Sequence, residues 1–488
     1  MTWVLAAACG IASVPAGLRW LRIAQREHYL APSVTRFAWR WWSSGLANAA
    51  LLLVGLIGVF GTLLSVWFGF LVAIAQIGPI GLAVTGTTSP LAWTSRLKRL
   101  FYATLAFVLF FYLLGSLTKI PFLVVFALFA LPSIIDVSLA LLAPVEKAMS
   151  NKWVKKAAAK LNSIDTDVVA ITGSYGKTTT KNYVSHLLTG SRRTVTSPAS
   201  FNNRMGLARA INEGLVPGTE VFVAEMGTYG PGEIADMTKW IRPNVAAIVA
   251  IGPVHLERFG TEKRIVDSKA EILDGADIGV ICIDHPFLAD LAKRRSDSMQ
   301  IIAVSSAGNQ IHIDGEAIGP IPSDAFPANV AVAMGVGLAL GVSVGDLIAR
   351  LSDLPAAEHR QSVTTSDVGF SIVDDTFNSN PAGAARALDL LVEIGSAGRT
   401  VVVTPGMIEL GDVQAAANRE FATLASGVAD HLVIVGRTNL VALLEGSGNG
   451  DASVSVVSSR DEAVDWARAN LGPGDAVLYE NDLPDHYP

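Results

Sequence analysis

Between Arg40 and Arg96 the 488-residue sequence has no Asp, Glu, Lys or Arg. No water-facing surface can be built from such a stretch, which excludes a soluble domain there, and it exceeds the ~20 residues that cross a bilayer once. Charge is scarce overall, at 16% of residues against 51% hydrophobic. Cysteine is scarcer still. Cys9 and Cys282 are the only two, and neither has CxxC spacing. That excludes a disulfide framework and a cysteine metal site, and it fits a reducing compartment for the soluble part. The charge that exists is unevenly divided. Residues 1–150 hold 10 Lys/Arg and 3 Asp/Glu, a net of +7, leaving 27 and 40, a net of −13, for the remainder. An acidic soluble part lacks the clustered cations that a phosphate backbone requires, so no nucleic acid partner is expected.

The length calls for three units, placed at residues 1–150, 151–357 and 358–488. Apolar runs at 2–21, 46–63, 66–87, 101–117 and 121–143 read as five membrane spans. Further spans follow the first, which argues against a cleaved signal peptide. Basic groups at Arg19–Arg40, Arg96–Arg99 and Lys147–Lys160 belong on the cytosolic side by the positive-inside rule. This holds if residues 46–87 form a two-span hairpin turning near Gly61 to Ser65, with the N-terminus outside. Asp136 reads as a bundle-facing carboxylate near a helix end, and Trp39, Trp41 and Trp42 as interfacial anchors. Residues 144–161 read as a basic amphipathic helix near the membrane.

Beyond residue 165 strand-like runs at 167–172, 220–225, 245–251, 278–284 and 300–304 alternate with helical patterns such as 178–189. A second series has apolar runs at 370–373, 400–403, 432–435 and 476–479, after a boundary at Leu354–His359. Such alternation predicts parallel sheets covered by helices on both faces.

The most informative segment runs from Val168 to Thr180: a β-branched run, Gly173-Ser174-Tyr175-Gly176, then Lys177-Thr178-Thr179-Thr180. Strand, glycine loop and helix start predict a polyphosphate cradle of backbone N–H groups, helix dipole and Lys177 ammonium. Thr178 is placed to hold Mg²⁺. The strict P-loop pattern needs glycine at position 171, which is Ile171. Elsewhere Glu225 ends a strand, His255 follows Gly252-Pro253 just past another, and Asp374 and Asp375 leave a third at its C-terminal end, where open α/β sheets bind ligands.

This shorter loop resembles that of the Mur ligase family, ATP-dependent amide-forming enzymes of cell-wall synthesis. Further segments carry the resemblance over about residues 165–480: Phe201–Gly206 with Asn202 and Asn203, Val223–Gly227, His255–Gly260, Ser268–Glu271, and Asp374–Pro381 with Asn378 and Asn380. The last of these, with Gly406–Gly411, is closest to the member that adds D-alanyl-D-alanine. The resemblance implies a central P-loop ATPase domain and a Rossmann-like C-terminal domain after the multi-span helical region. It implies ATP and two Mg²⁺ ions, held by Thr178, Glu225, His255 and a carbamylated Lys269. An ordinary lysine would repel the metal, whereas a CO₂-derived carbamate offers it anionic oxygen. Asn329 is implied to read adenine, Arg360 to reach the phosphates, Asp375 and Asn378 to lie at the nucleotide, and Asn202, Asn203 and Asn380 at the substrate. Lys177, Lys269, His255 and Arg360 form the implied catalytic set. ATP phosphorylates a carboxylate, and an amine attacks the acyl phosphate.

The pattern departs in places. Helices stand where the family has a UDP-binding domain. His359 replaces a glycine, Asn418 a histidine, and Tyr479–Pro484 a Lys-Gly-Ser-Arg segment. The expectation is a multi-pass cell-membrane ligase with cytoplasmic catalytic domains. It would join a lipid- or nucleotide-linked cell-wall precursor to an amino acid or dipeptide. Alternatives are D-alanyl-D-alanine addition to the UDP-linked precursor, a polyglutamate-type capsule synthase and a nucleotide-binding scaffold; a scaffold needs none of the metal-binding set.

Overall fold

Residues 2–164 are largely helical in the computed structural model, which describes the whole chain except residues 87–89, 324, 356–361, 377–378 and 396–397. The helices are α1 (Thr2–Arg26), α2 (Ser33–Trp42), α3 (Leu46–Gly61), α4 (Gly69–Ala75), α5 (Ser95–Leu117), α6 (Pro121–Phe129) and α7 (Leu131–Ile164). Two of them, α1 and α5, are long and apolar enough to cross a membrane; the number rises to four if the bent pairs α2/α3 (113°) and α6/α7 (74°) each count as one span. This corrects the five expected spans. The run at 66–87 supplies only a short helical stretch ending at Ala75, because Gly78-Pro79 and Gly81 stop it. The run at 121–143 breaks at Ala130, before Pro132 in the first turn of α7. Asp136 is buried and accepts the backbone N–H groups of Val34 (3.2 Å) and Thr35 (2.7 Å), so it caps α2. Residues 150 and 151 both lie inside α7, which joins the helical region to the next domain without a break; the boundary at 357/358 falls outside the described residues.

The central domain is a sheet of β1 (Asp167–Thr172), β2 (Thr194–Thr196), β3 (Val221–Glu225), β4 (Val245–Ile248), β5 (Ile278–Cys282), β6 (Gln300–Ser305), β7 (Gln310–Ile313) and β8 (Glu316–Pro320). Its order is β2-β3-β1-β4-β5-β6-β7-β8, parallel up to β6 and closed by an antiparallel hairpin. Strands β1, β3 and β4 are buried along almost their whole length, as contiguous apolar runs require when helices cover both faces. The helices are α8 (Lys177–Leu187), α9 (Arg204–Gly214), α10 (Glu233–Ile241), α11 (Leu256–Phe259), α12 (Glu262–Ala270), α13 (Pro286–Arg295), α14 (Pro327–Ala339) and α15 (Val344–Ala349).

The C-terminal domain has β9 (Ser362–Thr365), β10 (Ser371–Asp375), β11 (Thr400–Thr404), β12 (His431–Val435), β13 (Ser453–Val457) and β14 (Ala476–Glu480), in the order β13-β12-β11-β14-β10-β9. Only β9 is antiparallel. Helices α16 (Pro381–Ile394), α17 (Gln414–Val428) and α18 (Leu440–Ser447) pack on one face and α19 (Arg460–Asn470) on the other.

Charged side chains tie the three parts together. Arg258 bonds Glu27 of the helical region at 2.8 Å and Glu409 of the C-terminal domain at 3.4 Å. Glu257 pairs with Arg40 at 2.9 Å. The His28 ring stacks on Tyr229 with centroids 4.6 Å apart. Residues 484–488 insert among the N-terminal helices: Asp485 meets buried Arg22 at 3.0 Å, His486 meets Glu27 at 3.1 Å, and Trp41 Nε1 donates to the His486 carbonyl at 2.9 Å.

Candidate active site

The phosphate loop leaves β1 and enters α8 at Lys177. It is held by β4's exit: Ser174 N donates to Ala250 O (2.7 Å), and Ser174 Oγ to Gly252 O (3.2 Å). This is why β4 stops at Ile248, short of the expected residue 251: the backbone beyond it bonds the loop instead. The Tyr175 ring lies against Gly252. Gly176 has φ +75°, and a Cβ there would stand 2.3 Å from Asn329 Oδ1. Asn329, buried at the start of α14, is thus set against the loop's last glycine. Ala at position 176 adds about 1 kcal/mol of left-handed strain to that clash. Gly176→Ala is expected to weaken ATP-analogue binding at least about tenfold by calorimetry. Unchanged affinity would show that Asn329 yields freely.

Two lysines converge on one carbonyl. Lys177 Nζ donates to Gly173 O at 2.8 Å, and Lys269 Nζ, from α12, donates to the same oxygen at 3.0 Å. Lys269 is buried. Burial first, and the Lys177 charge second, hold its pKa well below the usual lysine value. Nearby, Glu225 at the end of β3 accepts from Thr178 Oγ1 (2.8 Å) and Asn202 Nδ2 (3.1 Å). Thr179 is buried one residue further along α8. Lys181 Nζ stands 3.6 Å from Glu225 and donates to Ser197 O at 2.7 Å. Lys181 was not singled out from the sequence; its signal is the four-residue step from Lys177 on one helix face.

Asn203 caps α9, its Oδ1 accepting from Gly206 N at 2.9 Å. A Cβ at Gly206 would come within 2.8 Å of Phe201 Cα, so the spacing of the two asparagines and this glycine reflects one tight turn.

Of the residues expected at the two ions, Thr178 and Glu225 meet, Lys269 lies at Gly173, and His255 faces the C-terminal domain. Its Nδ1 bonds the Glu409 carboxylate across the domain boundary, with Tyr229 edge-on at 5.2 Å. Among the described residues, no three His, Cys, Asp or Glu side chains converge. Burial raises the Glu409 carboxyl, but the His255 bond and the His255 and Arg258 charges outweigh it and bring its pKa down to about 2. Glu409 carries no local signal for this role, because its partners His255 and Arg258 are distant in the chain.

In the C-terminal domain Asp375 is buried at the end of β10, and Asn380 caps α16 through Gly383 N at 3.0 Å. Neither reaches the phosphate loop through a described contact. Arg386 of α16 lies over the Phe326 ring (4.6 Å), next to the start of α14 that carries Asn329. Arg360, His359 and Asn378 lie outside the described residues. Asn418 is a structural brace: it accepts from Met407 N (2.7 Å) and donates to Met407 O (2.9 Å), holding the turn before Glu409.

Glu480, at the end of β14, is fully buried and accepts from the Ser379 and Thr404 hydroxyls. Burial pushes its pKa up to about 7; the hydroxyls oppose this and the Asp375 charge adds to it. The folded-state value exceeds the unfolded one of 4.5, so the native state keeps this proton longer, and stability falls as pH rises from 4.5 to about 7. Glu480→Gln is expected to flatten that slope in thermal melts taken across about pH 5 to 8. A slope equal to the parent's would show that this carboxyl ionises without cost.

Two parallel-sheet domains, one carrying a phosphate loop and the other meeting it across a shared ionic seam, are the plan of an ATP-dependent ligase of acids and amines. Residues 171–318 match the Mur ligase middle domain, and residues 359–479 the Mur ligase glutamate ligase domain. The chain belongs to the Mur ligase family. It is 26% identical over 343 residues to the UDP-N-acetylmuramoyl-tripeptide–D-alanyl-D-alanine ligase of Bacillus subtilis, covering 66% of this chain and 75% of that one. The enzyme of the same name from Mycobacterium bovis is 28% identical over 368 residues, covering 66% and 71%. Among solved structures, the MurF ligase from Thermotoga maritima in complex with ADP superposes with a TM-score of 0.56 at 26% identity, covering 68% of this chain and 80% of that one.

Proposed function

We propose that this protein is a membrane-anchored ligase that uses ATP to activate a carboxylate of a peptidoglycan-related precursor and joins it to the amine of an amino acid or dipeptide. The observation that carries this reading is the convergence of Lys177 and Lys269 on Gly173 O, beside the Thr178–Glu225 pair. Lys177 is placed to meet phosphate charge, and positioning with charge neutralisation is the main requirement of phosphoryl transfer. Lys269 is suited to carbamylation, because only an uncharged amine attacks CO₂ and its burial favours that form. Magnesium fits Thr178 and Glu225, since it is commonly held by one or two protein oxygens plus substrate phosphates and water. Bound there, it would offset the charge of the phosphates. His255 bonds Glu409 through Nδ1, which orients the ring and leaves Nε2 to serve a second ion.

The acceptor is the open part. The relatives named above act, by their names, on a UDP-linked tripeptide and D-alanyl-D-alanine, which supports the same chemistry here as a second reading. The matched family domains begin at residue 171, and apolar helices α1 and α5 stand before them. That favours an acceptor presented at the bilayer, with the α/β domains on the cytoplasmic side; two or four crossings put the N-terminus on that side as well. Phosphate release by the detergent-solubilised chain, screened with UDP-linked and lipid-linked wall precursors against amino acids and D-alanyl-D-alanine, tests both readings. Absence of release with every combination would overturn the proposed activity. For topology, a reporter fused at residue 150 is expected to read as cytosolic; a signal from the outer face would reverse the assignment.

A further inference from the structure

One row of four-residue steps runs along α7 and changes environment. At its end Ala157 and Leu161, with Val154 beside them, are buried in the central domain's core. Asn212 Nδ2 donates to Trp153 O (3.0 Å) and Lys160 Nζ to Asn212 O (2.8 Å), fixing α7 to α9. Before that point the row carries Val137, Leu141, Val145, Met149 and Trp153, each about half exposed. Lys152, Lys155 and Lys156 flank its end, exposed and without an ion pair among the described residues. An apolar stripe edged with lysines is how a helix lies in a bilayer surface. Helix α5 packs against α7 and also exposes apolar side chains, Leu109, Phe110, Leu113 and Leu117.

Where the stripe ends, a groove opens. It has a volume of about 540 Å³ and lies between Trp153 and Lys156 of α7 and Phe201, Asn203, Met205 and Arg209 at the start of α9. Its walls are apolar at Trp153, Phe201 and Met205. Its cations are Lys156 and Arg209, the latter 5.4 Å over the Phe201 ring and shared with Glu213 at 2.9 Å. Asn203 lines the groove, and its chain neighbour Asn202 bonds Glu225. One residue therefore separates the groove from the carboxylate beside the phosphate loop.

We propose that this groove binds the phosphate-bearing headgroup of a lipid whose chain remains in the bilayer along the α7 stripe, and that this lipid carries the acceptor carboxylate to Glu225. The inference rests on the ligase reading and names its substrate class. Lysine and arginine supply the charge-assisted donors that a phosphate takes. A soluble sugar nucleotide offers the same phosphates, but it has no chain to lie along Val145, Met149 and Trp153.

The test uses the full chain in phosphatidylcholine nanodiscs. Cys9 and Cys282 are buried, so an environment-sensitive dye on Met205→Cys reports the groove. Titration with a polyprenyl diphosphate is expected to give a saturable shift. Lys156→Glu combined with Arg209→Glu should weaken it at least about tenfold, and the milder Lys156→Gln about threefold, with ATP-analogue binding as the control for folding. No saturable shift, an equal shift with phosphatidylglycerol, or an equal shift with a soluble sugar nucleotide would overturn the proposal. Turnover is not read in this assay. Lipid binding without phosphate release in the precursor screen sinks only the ligase reading, whereas release on a UDP-linked precursor without lipid binding sinks only this one.

Discussion

Lys177→Ala is expected to lower amine-dependent phosphate release on the order of 10³-fold, the scale for removing a preorganised charge from a phosphoryl or acyl transition state. The side chain is half-buried and its ammonium is held at the loop by Gly173 O and Ser174 O. The truncation therefore removes a positioned cation while the backbone loop keeps its own anchors to Ala250 and Gly252. Pre-steady-state phosphate release separates this from a binding defect: kcat should collapse while the chain still takes up ATP. Retention of the parental rate would show that another cation meets the transferred group, and Lys181, one helical turn on, would be the first to examine.

Lys269→Ala is expected to cost on the order of 10²-fold in kcat, comparable to the loss of a group that tunes a metal site. A merely structural lysine would give the same loss through its missing bond to Gly173 O. Rescue distinguishes the two. If the native group is a carbamate, a short carboxylate diffusing into the vacated space restores anionic oxygen and a substantial part of the rate, and bicarbonate depletion slows the parent enzyme. Absence of rescue, together with an intact-protein mass that shows no CO₂ adduct, would leave Lys269 as a hydrogen-bonding buttress of the loop.

The parts of this molecule that could be read from sequence share one property: their signal is local. Strands β1, β3, β4 and β5 are short apolar runs because both faces are covered, and the loop before Lys177 is a run of consecutive residues. Edge strands were missed for the opposite reason. In β13 the residues Ser453–Val457 are partly exposed, and β2 is three residues long, so neither carries a clear pattern. The helical region was over-read because apolar composition sets no length. Val72 and Phe68 pack back on Gly58 and Gly61, so α3 and the short α4 pair as a compact hairpin where two full spans were expected. His255 was read as a metal ligand from its flanking motif; its partner Glu409 lies 154 residues away, and nothing near either residue announces the pairing.

The insertion of residues 484–488 among the N-terminal helices gives the enzyme an unusual mechanics. The C-terminal domain is fastened through one charged cluster: Glu409 bonds His255 and Arg258, Arg258 bonds Glu27, and Glu27 bonds His486, with Asp485 on Arg22 beside it. A latch shared by three parts of the chain does not release one of them alone. For the C-terminal domain to move away, Asp485 must leave Arg22, and a buried guanidinium left without its partner costs about 3–5 kcal/mol. Wide gaping is then a rare event, about one part in 10²–10⁴ of the population on that cost alone. The helical region is thereby coupled to any opening between the α/β domains, because its Glu27 belongs to the same cluster as Glu409.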